Sequence, residues 1–172
     1  MFYLIAYLFM NLGAFGVVVA LAHRGQDCER MSSLAGLAQR RPGLAALMTL
    51  FMVALAGIPG TAGFTGKFLI FSAAVDAGQV PLAILGVMMS VVSVYYYLRV
   101  PVLMYMRDPA EDAPRSGLDT FEILVLTTCA FGVLYLGLFP NGTLPIVGEV
   151  HVLDWARNSI SALLEGANTT LR

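Results

Sequence analysis

Residues 56–68 read AGIPGTAGFTGKF, and this stretch decides what kind of chain this is. Gly57, Gly60, Gly63 and Gly66 recur every third residue, and Pro59 stands between the first two. A proline inside a helix lacks the N–H its turn needs and clashes with the preceding carbonyl. Glycine weakens helix continuity and permits close backbone approach. Lys67 follows at once. On both sides the sequence is apolar: from Pro42 to Ala77 the only charged residues are Lys67 and Asp76. As one straight helix this run would measure about 54 Å at 1.5 Å per residue. That is too long for one simple crossing of about 30 Å of hydrocarbon and too short for two crossings with an ordinary turn. The expectation is one broken membrane helix, with Gly57, Pro59, Gly60, Gly63 and Gly66 as its break or hinge.

Composition supports a membrane setting. Of the 172 residues, 58% are hydrophobic and 12% charged, and the mean hydropathy is +0.78. A soluble domain carries roughly 25% charged residues, so this chain lacks the polar residues to coat a water-facing surface. The formal net charge of −1 leaves no basic footprint for nucleic acid. The first residues open directly on an apolar run without a basic segment or cleavage site, so no signal peptide is expected.

Working outward, the pattern predicts an all-α fold, a polytopic bundle of about four spans. These lie at about 1–22, 42–77, 80–98 and 121–139, within a transmembrane domain over 1–145. Residues 23–41 and 107–119 form polar loops. Asp119 with Glu122 three residues on fits a capping box at the start of the last span. Gly13, Ala14 and Gly16 suggest close packing of the first span. Asn11, Ser90, Ser93, Thr127 and Thr128 are expected to bond between helices. Tyr95, Tyr96 and Tyr97 look like an interfacial belt. Residues 146–172 form a tail. Within it Val152, Ala156, Ile160 and Leu163 share one helical face, Asp154, Arg157, Asn158, Ser161 and Glu165 the other, and Trp155 favours an interface. An amphipathic helix lying on the membrane or on a neighbour is expected.

Arg24, Arg30, Arg40, Arg41, Arg99, Arg107 and Arg115 fall on the side of the first and third loops, against Arg157 and Arg172 opposite. Positively charged loops stay in the cytoplasm, so both termini should face outward. Cys28 and Cys129 lie far apart in unlike settings, and His23 and His151 have no partners at ligand spacing. No metal site and no disulfide framework is expected.

Lys67 is the residue with chemistry. Asp76 marks the end of its span, about 13 Å further along the helix, so the lysine is too deep for an ordinary interfacial anchor. A lysine at mid-bilayer costs about 2.5–3.5 kcal/mol on insertion scales, and intramembrane ionisable groups are functional by default. The competing reading is a lysine snorkelling to the headgroups. The glycines and proline at the same place favour function, because freed backbone groups in a membrane must be met by protein or by water in a cavity. Lys67 is therefore assigned to proton transfer.

Three segments, MNLGAFGVV at 10–18, LAGIPGTAGFTGKF at 55–68 and SVVSVYYYLRV at 90–100, together resemble the C-terminal portion of the subunit N family of bacterial NADH-quinone oxidoreductase, respiratory complex I. These are antiporter-like membrane subunits, related to subunits of Mrp-type cation/proton antiporters. The resemblance runs from about Phe2 to Pro140. It implies roughly the last four helices of a larger bundle. Lys67 would match the lysine of the family's second broken helix, within its central hydrophilic axis. It further implies a role in coupling NADH oxidation and quinone reduction to proton translocation across a bacterial inner membrane. NADH, flavin, iron–sulfur clusters and quinone would reside on other subunits, with no cofactor on this chain. Other membrane subunits, the remainder of the same subunit, and lipid would be its partners. The alternatives are a Mrp-type antiporter subunit, or a structural or assembly protein of the membrane. The latter has no need of a buried cation.

Overall fold

The computed structural model describes residues 2–22, 31–108 and 119–139, and a small strand pair at 143–144 and 148–149. The elements are α1 (Phe2–Ala22), a 3-10 turn (Met31–Leu34), α2 (Leu37–Arg40), α3 (Pro42–Ala56), α4 (Ala62–Asp76), α5 (Val80–Met106), α6 (Thr120–Leu138), and β1 (Thr143–Leu144) paired antiparallel with β2 (Gly148–Glu149). The strand pair lies after the bundle in sequence and leaves the helical class unchanged. The expected amphipathic tail helix, with Trp155, lies outside the described residues, as do Cys28, His23 and His151.

α1, α5 and α6 are each long and apolar enough to cross a membrane. α3 and α4 have 15 residues each, about 22 Å apiece at 1.5 Å per residue, and neither crosses alone. They succeed one another along α1. Gly13, near the middle of α1, meets Phe51 of α3, and Tyr3, at its start, meets Gly66 of α4. The two half-helices thus follow one another antiparallel to α1.

α6 is also antiparallel to α1: Gly16 faces Leu126, and Phe9 faces Gly132. α5 returns along the broken span, with Gly86 against Phe71 of α4. At the far end Gly36, beside α2, donates its N–H to the Leu103 carbonyl at 3.5 Å. The C-terminal ends of α1 and α5 and the N-terminal ends of α3 and α6 therefore lie at one end of the bundle.

Phe51, Met10, Met104, Leu126, Val17 and Val133 form the fully buried centre. Phe51 fits only because Gly13 has no side chain, since a Cβ there would run into its ring. Close approach at small residues is how helices associate where lipid is as apolar as leucine. The outer surface is apolar, most of all on α5, where Leu82, Ile84, Met88, Val91 and Tyr95 are exposed. Lipid and protein neighbours are the media that suit such a surface.

Three expectations are corrected. The third span does not end near Leu98. α5 runs on past the exposed Arg99 and through Pro101 to Met106, because Val100 and Met104 are buried in the same core as Leu44 and Met48. The polar loop at 23–41 contains the 3-10 turn and α2, which bury Leu34 and Leu37. Three of the five polar residues expected to bond between helices serve their own helices: Asn11 donates to the Tyr7 carbonyl, Ser93 to the Ser90 carbonyl and Thr128 to the Leu124 carbonyl. Bonding back to the preceding turn satisfies a hydroxyl without any partner helix.

The start of α6 is as anticipated. The Asp119 carboxylate accepts from Thr120 N–H at 2.8 Å, the Glu122 carboxylate accepts from Asp119 N–H at 3.0 Å, and the reciprocal box is complete.

Candidate functional site

The break in the second span is Gly57–Thr61, shorter than the glycine pattern suggested. Gly57 caps α3 with φ +84 and Gly60 has φ +92, in the left-handed region that favours glycine. Pro59 sits between them, outside both helices. Gly63 and Gly66 are ordinary helical residues of α4 and are not part of the break. Their role is proximity. A Cβ on Gly63 would overlap the Ala54 carbonyl oxygen, and one on Gly66 would come within 2.8 Å of the Tyr3 ring. Gly137 of α6 likewise packs on the backbone of Gly60 and Thr61. One glycine rhythm thus hides two functions: the first pair turns the chain, and the second pair lets α4 lie close to α3 and α1.

A helix end leaves four carbonyls without intrahelical partners. For α3 these are Val53, Ala54, Leu55 and Ala56. Gly57 N–H bonds to Val53 at 3.2 Å and Ala54 at 3.0 Å, and Ile58 N–H bonds to Val53 at 3.3 Å. Leu55 and Ala56 remain. Lys67 meets both: its Nζ donates to the Leu55 carbonyl at 3.0 Å and the Ala56 carbonyl at 3.1 Å. The lysine is therefore the C-cap of the other half-helix, placed where the α3 dipole is negative and favours a cation. Its side chain passes over Gly57, where a Cβ would stand 3.2 Å from both Lys67 Cδ and Nζ.

Lys67 is half-buried and lines a cavity of about 280 Å³ between α1, α4 and α5. Liquid water occupies roughly 30 Å³ per molecule, so several waters fit. The cavity is also lined by the hydroxyl-bearing residues Tyr3, Tyr7, Ser90, Ser93 and Tyr97, and among the described residues its lining contains no carboxylate.

Of the residues singled out in the sequence, Gly57, Gly63 and Lys67 meet at this point, while Pro59 and Gly60 stay in the exposed part of the break. Tyr3, Tyr7 and Tyr97 were not anticipated there, and Ser90 and Ser93 were assigned to helix packing. A signal was present. Residues 90, 93 and 97 recur on one helical face of α5, and 3 and 7 on one face of α1, within otherwise apolar runs. Tyr95 and Tyr96 are exposed, as a belt requires, whereas Tyr97 turns inward. Cys129 is a buried free thiol, an apolar filler as expected. Among the described residues no group of His, Cys, Asp or Glu has the arrangement of a metal site.

Residues 1–93 match the family described as NADH:quinone oxidoreductase/Mrp antiporter, TM. NADH-quinone oxidoreductase subunit N 2 of Roseiflexus castenholzii is 45% identical over 148 residues, which is 86% of this chain and 30% of that protein. Subunit N of Myxococcus xanthus is 47% identical over 157 residues, 86% of this chain and 29% of that protein. The chain thus spans about 30% of the length of the curated relatives it matches. Among solved structures, a chain of respiratory complex I from Thermus thermophilus with bound aureothin superposes with a TM-score of 0.70 at 32% identity. That superposition covers 84% of this chain and 33% of the other.

Proposed function

Because this chain belongs to the NADH:quinone oxidoreductase/Mrp antiporter transmembrane family, we propose that it is a membrane-embedded portion of a subunit-N-type protein of NADH-quinone oxidoreductase, and that Lys67 is a proton-exchanging group in it. The assembled complex would couple NADH oxidation and quinone reduction to proton translocation. The redox cofactors would lie on other subunits, and the remainder of the same subunit and other membrane subunits would be the partners. The charge distribution of the loops supports a bacterial inner-membrane orientation with the first and third connections in the cytoplasm.

The observation that carries this reading is the setting of Lys67: a lysine beside a helix break, held by two backbone carbonyls and bordering a cavity lined by tyrosines and serines. A snorkelling lysine would extend along its helix toward the headgroups. This one reaches inward to another helix. Gly57, Pro59 and Gly60 form the hinge of the broken span in this reading, and Gly63 and Gly66 keep its halves in contact with their neighbours.

Lys67→Ala and Lys67→Arg test the assignment in the assembled complex, in inside-out membrane vesicles driven by NADH. Lysine can give up its proton, whereas arginine keeps its charge in proteins. Both variants should assemble yet lose most of their coupled proton uptake, because neither side chain can take up and release a proton at this position. A wild-type proton-to-electron ratio in Lys67→Ala would make Lys67 a structural cap only. The matched family description also covers Mrp antiporters. Sodium–proton exchange in the same vesicles without NADH, lost in Lys67→Ala, would favour that reading.

A further inference from the structure

A protonated lysine amine has three N–H donors. In Lys67 two are engaged, on the carbonyls of Leu55 and Ala56. The α3 cap leaves these two carbonyls for it, because the N–H groups of Gly57 and Ile58 serve Val53 and Ala54. One position on Nζ is left over. The same side chain lines the cavity with Ser90 and Tyr97, seven residues and two turns apart on α5. Ser93 lies between them, but its hydrogen is committed to the Ser90 carbonyl at 2.7 Å.

Resting on the reading of Lys67 as a proton-exchanging group, we propose that it exchanges its proton in place, through the single Nζ position left facing the cavity, and that the hydroxyls of Ser90 and Tyr97 relay that proton with water. On release, the third N–H bond breaks and its electron pair stays on nitrogen as a lone pair. The proton forms an O–H bond on a cavity water, which passes one of its own protons to the Tyr97 or Ser90 oxygen. That hydroxyl then releases its original hydrogen to the next water. Uptake is the reverse, and no atom changes oxidation state. A neutral amine still has two N–H bonds, so both carbonyls keep their partners in both charge states. A lysine that swung away to deliver its proton would leave the carbonyls of two buried residues, Leu55 and Ala56, unpaired at each turn. Gly57 is the positioning residue. Its missing Cβ leaves room for the lysine chain, and its left-handed φ ends α3 where Leu55 and Ala56 are left for Nζ.

The test uses the whole assembled complex in inside-out vesicles. Tyr97→Phe and Ser90→Ala remove hydroxyls and little else. The double variant should assemble to wild-type levels, lose most of its NADH-driven proton uptake, and show a larger solvent deuterium isotope effect on coupled turnover. Tyr96→Phe, on the exposed side of α5, should keep the wild-type rate and isotope effect. If Lys67→Ala pumps as the wild type does, the underlying reading of Lys67 fails. If Lys67→Ala is inactive while the double variant keeps wild-type uptake and isotope effect, Lys67 exchanges protons by another route and only the relay is overturned. Should the double variant fail to assemble, Tyr97→Phe with Ser90→Gly, which also removes both hydroxyls and keeps the ring, decides by the same two readouts.

Discussion

Gly63→Ala and Gly43→Ala are the same chemical change in two glycines of the same broken span, and the structure predicts opposite outcomes. Gly43 lies in the first turn of α3, exposed, and a Cβ there meets nothing within 4 Å. Replacing a helical glycine by alanine at such a site stabilises by roughly 0.5–1 kcal/mol. At Gly63 the new Cβ would overlap the Ala54 carbonyl oxygen and lie 3.2 Å from Met10 Sδ. The obstacle is backbone, so no rotamer relieves it. α4 must part from α3 by more than about an ångström to reach ordinary contact distance. Overpacking of this kind costs typically about 1–3 kcal/mol. The same displacement would stretch the 3.0 and 3.1 Å bonds from Lys67 to Leu55 and Ala56 beyond bonding range. Bonds from charged groups contribute roughly 1.5–3 kcal/mol each, so the combined penalty is several kcal/mol. The assay is the thermal inactivation midpoint of the detergent-solubilised complex, together with its assembled amount in membranes. Gly43→Ala should match or slightly exceed the wild type, and Gly63→Ala should fall well below it. Equal midpoints for the two variants would refute the close α3–α4 contact and the lysine cap built on it.

The remaining predictions concern orientation, the tail and the last span. Single cysteines at Ser33 and Ser116 should resist an impermeant thiol reagent in spheroplasts, and labelling of either from outside would reverse the proposed orientation. Backbone amides from Val150 to Leu164 should be protected from exchange in the assembled complex, and rapid exchange throughout would count the amphipathic pattern as accidental. Asp119→Ala removes the carboxylate that accepts from Thr120 and should cost about 1 kcal/mol, within the usual range for an N-cap. Asp119→Asn should recover most of it, and an unchanged inactivation midpoint in Asp119→Ala would show that neighbouring packing alone sets the start of α6.

Much of this protein is written along the chain because the bilayer imposes a one-dimensional rule. A span must be apolar over a fixed length, so hydropathy alone locates α1, α5 and α6 to within a few residues at most ends. The capping box at Asp119 and Glu122 is equally local, since both partners lie within four residues. Pro59 and the glycines mark where the second span breaks, and Lys67 stands out as a charge where charge is expensive. The end of α5 was not legible, because whether a helix continues past Arg99 and Pro101 depends on Val100 and Met104 finding the core. Identical glycines could not be sorted either. Gly57 and Gly60 are fixed by backbone angles and Gly63 and Gly66 by what lies opposite them, and a glycine carries no side chain to reveal which. The partners of Lys67 are two backbone carbonyls, 12 and 11 residues away, and every residue has a carbonyl. Only the folding of α4 back against the end of α3, with α1 and α5 closing the cavity around them, selects Leu55 and Ala56 from all the others.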